Sequence, residues 1–73
     1  MENHQLAQRV RAFRKLKGYT QQELAKVLGV SVAVLGSLER GTRKADAKLL
    51  IHISNTLGVS YEELTDSESN GNA

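Results

Sequence analysis

Four of the six glycines, Gly18, Gly29, Gly41 and Gly58, each stand just past a stretch whose apolar residues recur with the helical period. A glycine in that position takes up the left-handed backbone that closes a helix at little cost. No proline interrupts the stretches between them, and no segment alternates with period two, so strands are not expected. Such a chain is confined to short helices, and the prediction is an all-α fold: a compact bundle of five short helices.

Start signals agree with the stops. Thr20 followed by Glu23 is a capping box, in which each side chain can satisfy the other's backbone N–H, and it predicts a helix over Gln21–Leu28. Ser31 is an N-cap for a helix from Val32 to about Arg40, and Asp46 for one from about Ala47 to Leu57. Ser60 with Glu63 makes a second capping box, opening a short fifth helix anchored by Leu64. The first helix is predicted over about Asn3 to Lys17. Leu6, Val10 and Phe13 form its apolar stripe, which Leu16 extends. Leu24, Ala25, Leu28, Leu35, Leu38, Leu50, Ile53 and Leu57 supply the matching faces. Leu49 and Ile51 lie off that pattern; completing the core is favoured over contact with another protomer, since two neighbouring aliphatics usually find cover. The domain is expected over residues 1–65, and 66–73 (DSESNGNA) as a disordered tail, having no apolar residue before its final Ala.

Two short helices joined by about four residues with a glycine in the turn follow the helix-turn-helix plan. The segment GYTQQELAKVLGVS, then LER-G, then LGVSYEEL at the matching offset resembles the Cro/repressor (lambda-repressor-like) helix-turn-helix family. The resemblance covers roughly Leu6 to Leu64. It implies a central helix-turn-helix, binding to an operator in double-stranded DNA, and transcriptional regulation, more often repression.

Charge distribution is compatible with that. Residues 1–48 carry all ten Lys and Arg against four carboxylates, a net of +6; residues 49–73 carry four carboxylates and no cation, a net of −4. A polyanion would approach the front half. A chain of 73 residues makes one domain near the lower limit for a self-standing core, and without cysteine nothing staples it. Helix packing, aided by dimerisation, must hold it. No run of about 18 apolar residues exists to span a membrane, and MENHQLAQ lacks the order of a signal peptide. A cytoplasmic, nucleoid-associated location is expected.

In a helix-turn-helix protein the second helix enters the major groove by its N-terminal part. With Leu35 and Leu38 inward, its outward positions are Val32, Ala33, Gly36 and Ser37, which the resemblance makes base-facing. This set holds no Arg, Lys, Asn or Gln. Thymine methyls could meet Val32 and Ala33, and Ser37 offers one hydrogen bond, so specificity is expected to lean on DNA shape. Gly36 either admits a close approach to DNA or is a tolerated weak helix residue. Phosphate contacts are expected from Thr20 and Gln21 at the start of the preceding helix. The resemblance adds Arg43 and Lys44, after the recognition helix. Arg40, at the end of that helix, is expected on a phosphate or as a complement to the helix dipole. The resemblance also implies an ion pair between Arg14 and Glu39 that ties the first helix to the recognition helix. Arg9, Arg11, Lys15, Lys17, Lys26 and Lys48 are expected at the solvated surface.

No nucleophile–base set is visible, His4 and His52 lack ligand-spaced companions, and one Phe with two Tyr makes no stacking platform. An enzyme, a metal site and a cofactor are therefore not expected. A homodimer is, through the fifth-helix region with Val59, Tyr61 and Leu64. The rival reading is a protein-interaction module on the same fold, with Val32, Ala33 and Val34 docking a partner.

Overall fold

A computed structural model of the chain describes residues 2–65. They form five helices: α1 (Glu2–Leu16), α2 (Gln21–Leu28), α3 (Val32–Arg40), α4 (Ala47–Leu57) and α5 (Tyr61–Thr65). There is no strand among the described residues. The segment expected to be disordered, 66–73, lies outside them, as does Met1.

The starts of α2 to α5 are fixed by the side chains the sequence singled out. The Thr20 hydroxyl accepts the Glu23 N–H at 3.0 Å, and the Thr20 N–H donates to Glu23 Oε1 at 2.9 Å. Ser31 accepts from the Val34 N–H at 3.1 Å, Asp46 from the Leu49 N–H at 2.8 Å and Ser60 from the Glu63 N–H at 2.9 Å. Helix ends repeat one pattern. At Gly29 the glycine N–H donates to the Lys26 carbonyl and the following Val30 N–H to the Ala25 carbonyl, closing the last turn; Gly18, Gly41 and Gly58 do the same with their neighbours. The residue after the glycine then drops onto the core: Tyr19, Val30 and Val59 all pack there, while the polar Thr42 stays exposed. Boundaries of α2, α3 and α4 coincide with expectation. The first helix is displaced by one residue from Asn3–Lys17, although the Lys17 N–H still donates to the Phe13 carbonyl at 2.9 Å.

The first helix packs on α3, α4 and α5; the second packs on α3 and α4. Leu24, Leu35, Ile53 and Leu64, one from each of α2 to α5, are fully buried where these elements meet, with Val10 of α1 beside them. Burying a leucine of this kind is worth about 1.5–3 kcal/mol. Ser54 is buried too, its hydroxyl donating to the Ile51 carbonyl at 2.8 Å. No buried side-chain polar atom among the described residues is left without a partner.

Three expectations change. Leu16 is 74 % exposed and does not extend the core stripe; the buried face of α1 runs through Ala7, Val10 and Arg14, and Leu16 lies off it. Leu49 joins the core edge, but Ile51 points to solvent, because α4 buries only one face. Arg9 is not merely solvated: its Nη1 donates to the Glu63 carbonyl at 3.1 Å and ties α1 to α5.

Candidate nucleic-acid interface

The angle between α2 and α3 is held by hydrogen bonds to one carboxylate. Arg14, on α1, donates from Nε to Glu39 Oε2 at 2.6 Å and from Nη2 to Oε1 at 3.1 Å. Its Nη1 donates to the Tyr19 carbonyl at 2.8 Å, just before α2. Gln21, the first residue of α2, donates from Nε2 to Glu39 Oε1 at 3.0 Å. Both charged side chains are almost wholly buried, at 8 % and 2 % exposure. Glu39 therefore joins α1, α2 and α3, and its lone pairs face donors rather than solvent. A planar guanidinium meeting a carboxylate two bonds at a time fixes direction as well as distance.

Gln21 is thus engaged internally as well as standing at the start of α2, where the first-turn N–H groups lack intrahelical acceptors. Its tie to Glu39 was missed in the sequence because eighteen residues separate the two. Thr20 accepts a hydrogen bond at its hydroxyl but keeps the hydroxyl proton to donate outward.

On α3, Leu35 and Leu38 are buried while Val32 and Ala33 are exposed, Val32 at 41 %. Ser37 is half-buried. Gly36 is not open backbone: it is buried, and a Cβ placed there would sit 3.2 Å from Arg40 Nη1. The Arg40 guanidinium lies back along the helix over Gly36, with Nη2 donating to the Ser37 hydroxyl at 3.4 Å. The outward face therefore carries an arginine: Arg40 lies four residues after Gly36 and three after Ser37, on the face from which the sequence reading left it out. Helical side chains lean toward the N-terminus and cover the turn before them; a glycine four residues before an arginine was the signal available in the sequence.

Arg43 and Lys44 are exposed in the loop after α3. Arg43 also lines a small cleft with Leu6 and Ala7 of α1, Leu38 of α3 and Leu50 of α4. Of the residues expected to form the dimer surface, Leu64 is fully buried in the core, Val59 is half-buried against it, and Tyr61 is exposed. Among the described residues there is no group of three or more His, Cys, Asp or Glu that could hold a metal ion, and no helix long and apolar enough to cross a membrane.

Residues 10–64 match the model of a helix-turn-helix family. The chain is 47 % identical over 68 residues to the uncharacterized HTH-type transcriptional regulator YazB of Bacillus subtilis, covering 93 % of this chain and 99 % of that protein. It spans about half the length of other similar B. subtilis proteins named as HTH-type transcriptional regulators. Among solved structures, the clp gene regulator ClgR of Corynebacterium glutamicum superposes with a TM-score of 0.89 at 31 % identity, over 97 % of this chain and 76 % of that one. The restriction-modification controller protein C.AhdI of Aeromonas hydrophila gives 0.81 at 29 % identity, over 85 % and 94 %.

Proposed function

Since the chain belongs to the helix-turn-helix family and is a DNA-binding transcriptional regulator, we propose that it lays the N-terminal half of α3 in the major groove of an operator and grips phosphates on either side. One observation carries this reading. A buried carboxylate on α3, Glu39, holds both Arg14 of α1 and Gln21 of α2, yet the N-terminal end of α3 is left facing out with Val32 and Ala33 exposed. A rigidly aimed, solvent-facing helix start is what groove insertion requires.

Val32 and Ala33 face base edges and suit thymine methyl groups; Gly36 and Ser37 lie one turn further along. Thr20 donates its hydroxyl proton to a phosphate. Gln21 presents its backbone N–H at the α2 N-terminus to the same strand, while its side chain stays on Glu39. Arg43 and Lys44 meet the backbone beyond the other end of α3 as charges. A single half-site bound this way is weak, so the working form is a homodimer on a near-palindromic site, its two recognition helices about 34 Å apart. Tyr61 is the large apolar residue that α5 leaves exposed for that contact. The protein works in the cytoplasm, at the nucleoid. The whole acts as a repressor by occupying its site.

Selection of bound sequences from random duplex DNA at two ionic strengths tests the proposal. It expects a near-palindromic consensus and affinity that falls steeply with salt, because bound phosphates release counterions. Recovery of no consensus, or binding indifferent to salt, contradicts it. Salt-indifferent binding to a protein would instead favour the interaction-module reading, in which Val32, Ala33 and Val34 dock a partner. Against it, Val32 is the one large apolar residue of α3 that stands exposed, with Val34 half-buried, whereas docking sites are marked by contiguous apolar patches.

A further inference from the structure

We infer that Arg40 is a specificity-determining residue that reads a guanine, and that Gly36 is the seat which lets it do so. The inference rests on the reading of α3 as the groove helix.

Arg40 stands at the C-terminal end of α3, one turn past Gly36. There an arginine has three destinations: the helix's own last carbonyls, a flanking phosphate, or the outward face. The first is partly served. The Gly41 and Thr42 N–H groups donate to the Leu38 and Ser37 carbonyls, and the Thr42 hydroxyl adds a bond to the Ser37 carbonyl at 3.2 Å. Nor does the head swing off the end of the helix toward a flanking strand. It lies back over Gly36 with Nη2 on the Ser37 hydroxyl, among the outward positions proposed to meet base edges. An α-helical turn rises about 5.4 Å, so the charge is carried that far toward the inserted end of α3.

Gly36 makes this placement possible. Any side chain there would meet Arg40 Nη1, at 3.2 Å for a Cβ alone. Glycine at an interior position weakens the helix, and here it admits a guanidinium lying low on the surface. Arg40 makes no ion pair among the described residues, so its fork of donors is not consumed by a carboxylate. A guanidinium presented edge-on in the major groove matches the O6 and N7 acceptors of guanine in a two-bond contact, which no other base pair offers in that pattern. The outward face thus combines thymine-compatible Val32 and Ala33 with one guanine-reading cation.

The test measures binding of the selected duplex and of its single-base-pair variants, at fixed salt, by the wild type and by Arg40→Ala, Arg40→Lys and Gly36→Ala. The wild type is expected to prefer G·C at one pair of each half-site by about 5- to 150-fold. Arg40→Ala flattens that pair and leaves the other preferences standing. Arg40→Lys keeps the salt dependence but loses the preference, since an ammonium cannot make the fork. Gly36→Ala, which lifts the guanidinium, weakens preference at the same pair. Uniform loss on all sequences with a shallower salt slope would make Arg40 a phosphate contact and overturn the inference, as would unchanged preference in Arg40→Ala. In both cases the groove assignment survives. A wild type that binds no duplex overturns both.

Discussion

At the scale of single residues, the decisive group is Glu39. It accepts from Arg14 and Gln21 in a nearly dry setting, so removing it strands a buried guanidinium and frees the start of α2. Glu39→Ala is expected to lower unfolding stability by roughly 3–5 kcal/mol, read from urea denaturation midpoints at constant slope. A change under about 1 kcal/mol would show that the pair does not hold the helices. That Arg14 and Glu39 meet was suggested by resemblance alone; composition and periodicity are silent about it. The position of the Arg40 head was not read at all. Sequence tells which residue occupies which face, but a long side chain carries its charge a turn away from its own Cα. Leu16 shows the same limit from the other side: its spacing extends the stripe of α1, yet the face that is buried runs through Ala7, Val10 and Arg14 and leaves Leu16 exposed.

At the scale of elements, most of the fold was legible because helix ends are set locally. A capping oxygen, a first-turn N–H and a closing glycine all lie within a few residues of one another, so α2, α3 and α4 could be bounded without knowing the tertiary structure. Contacts between elements were not legible, as the Arg9 bond to the Glu63 carbonyl shows across 54 residues. If caps carry the local stability, Asp46→Ala should cost about 1 kcal/mol, since the Leu49 N–H loses its acceptor. Thermal melts followed by far-ultraviolet circular dichroism measure this. Gly36→Ala should move the other way. It gains up to about 1 kcal/mol of helix stability, because the atom it meets is the far end of a flexible side chain that can move aside. A more stable protein with poorer discrimination would be the mark of a residue kept for function.

At the scale of the whole molecule, charge and symmetry decide how the bundle is used. The cations of the first 48 residues include every one proposed for DNA, and the acidic remainder includes α5, with Glu62 and Glu63 in its first turn. With Leu64 committed to the core, Tyr61 is the large apolar residue that α5 leaves exposed for a dimer contact. Sedimentation equilibrium should therefore show Tyr61→Ala shifted toward monomer while its melting temperature at high dilution stays put; an unaltered association constant would place the contact elsewhere. The most direct test of the central claim is a titration of the labelled protein with its selected duplex, following backbone amide resonances near physiological salt. Insertion of α3 predicts the largest shifts at Val32, Ala33 and Ser37, with Gln21, Arg43 and Lys44 moving alongside and the exposed side of α4 unmoved. Shifts confined to α4 and α5, with α3 silent, would contradict it.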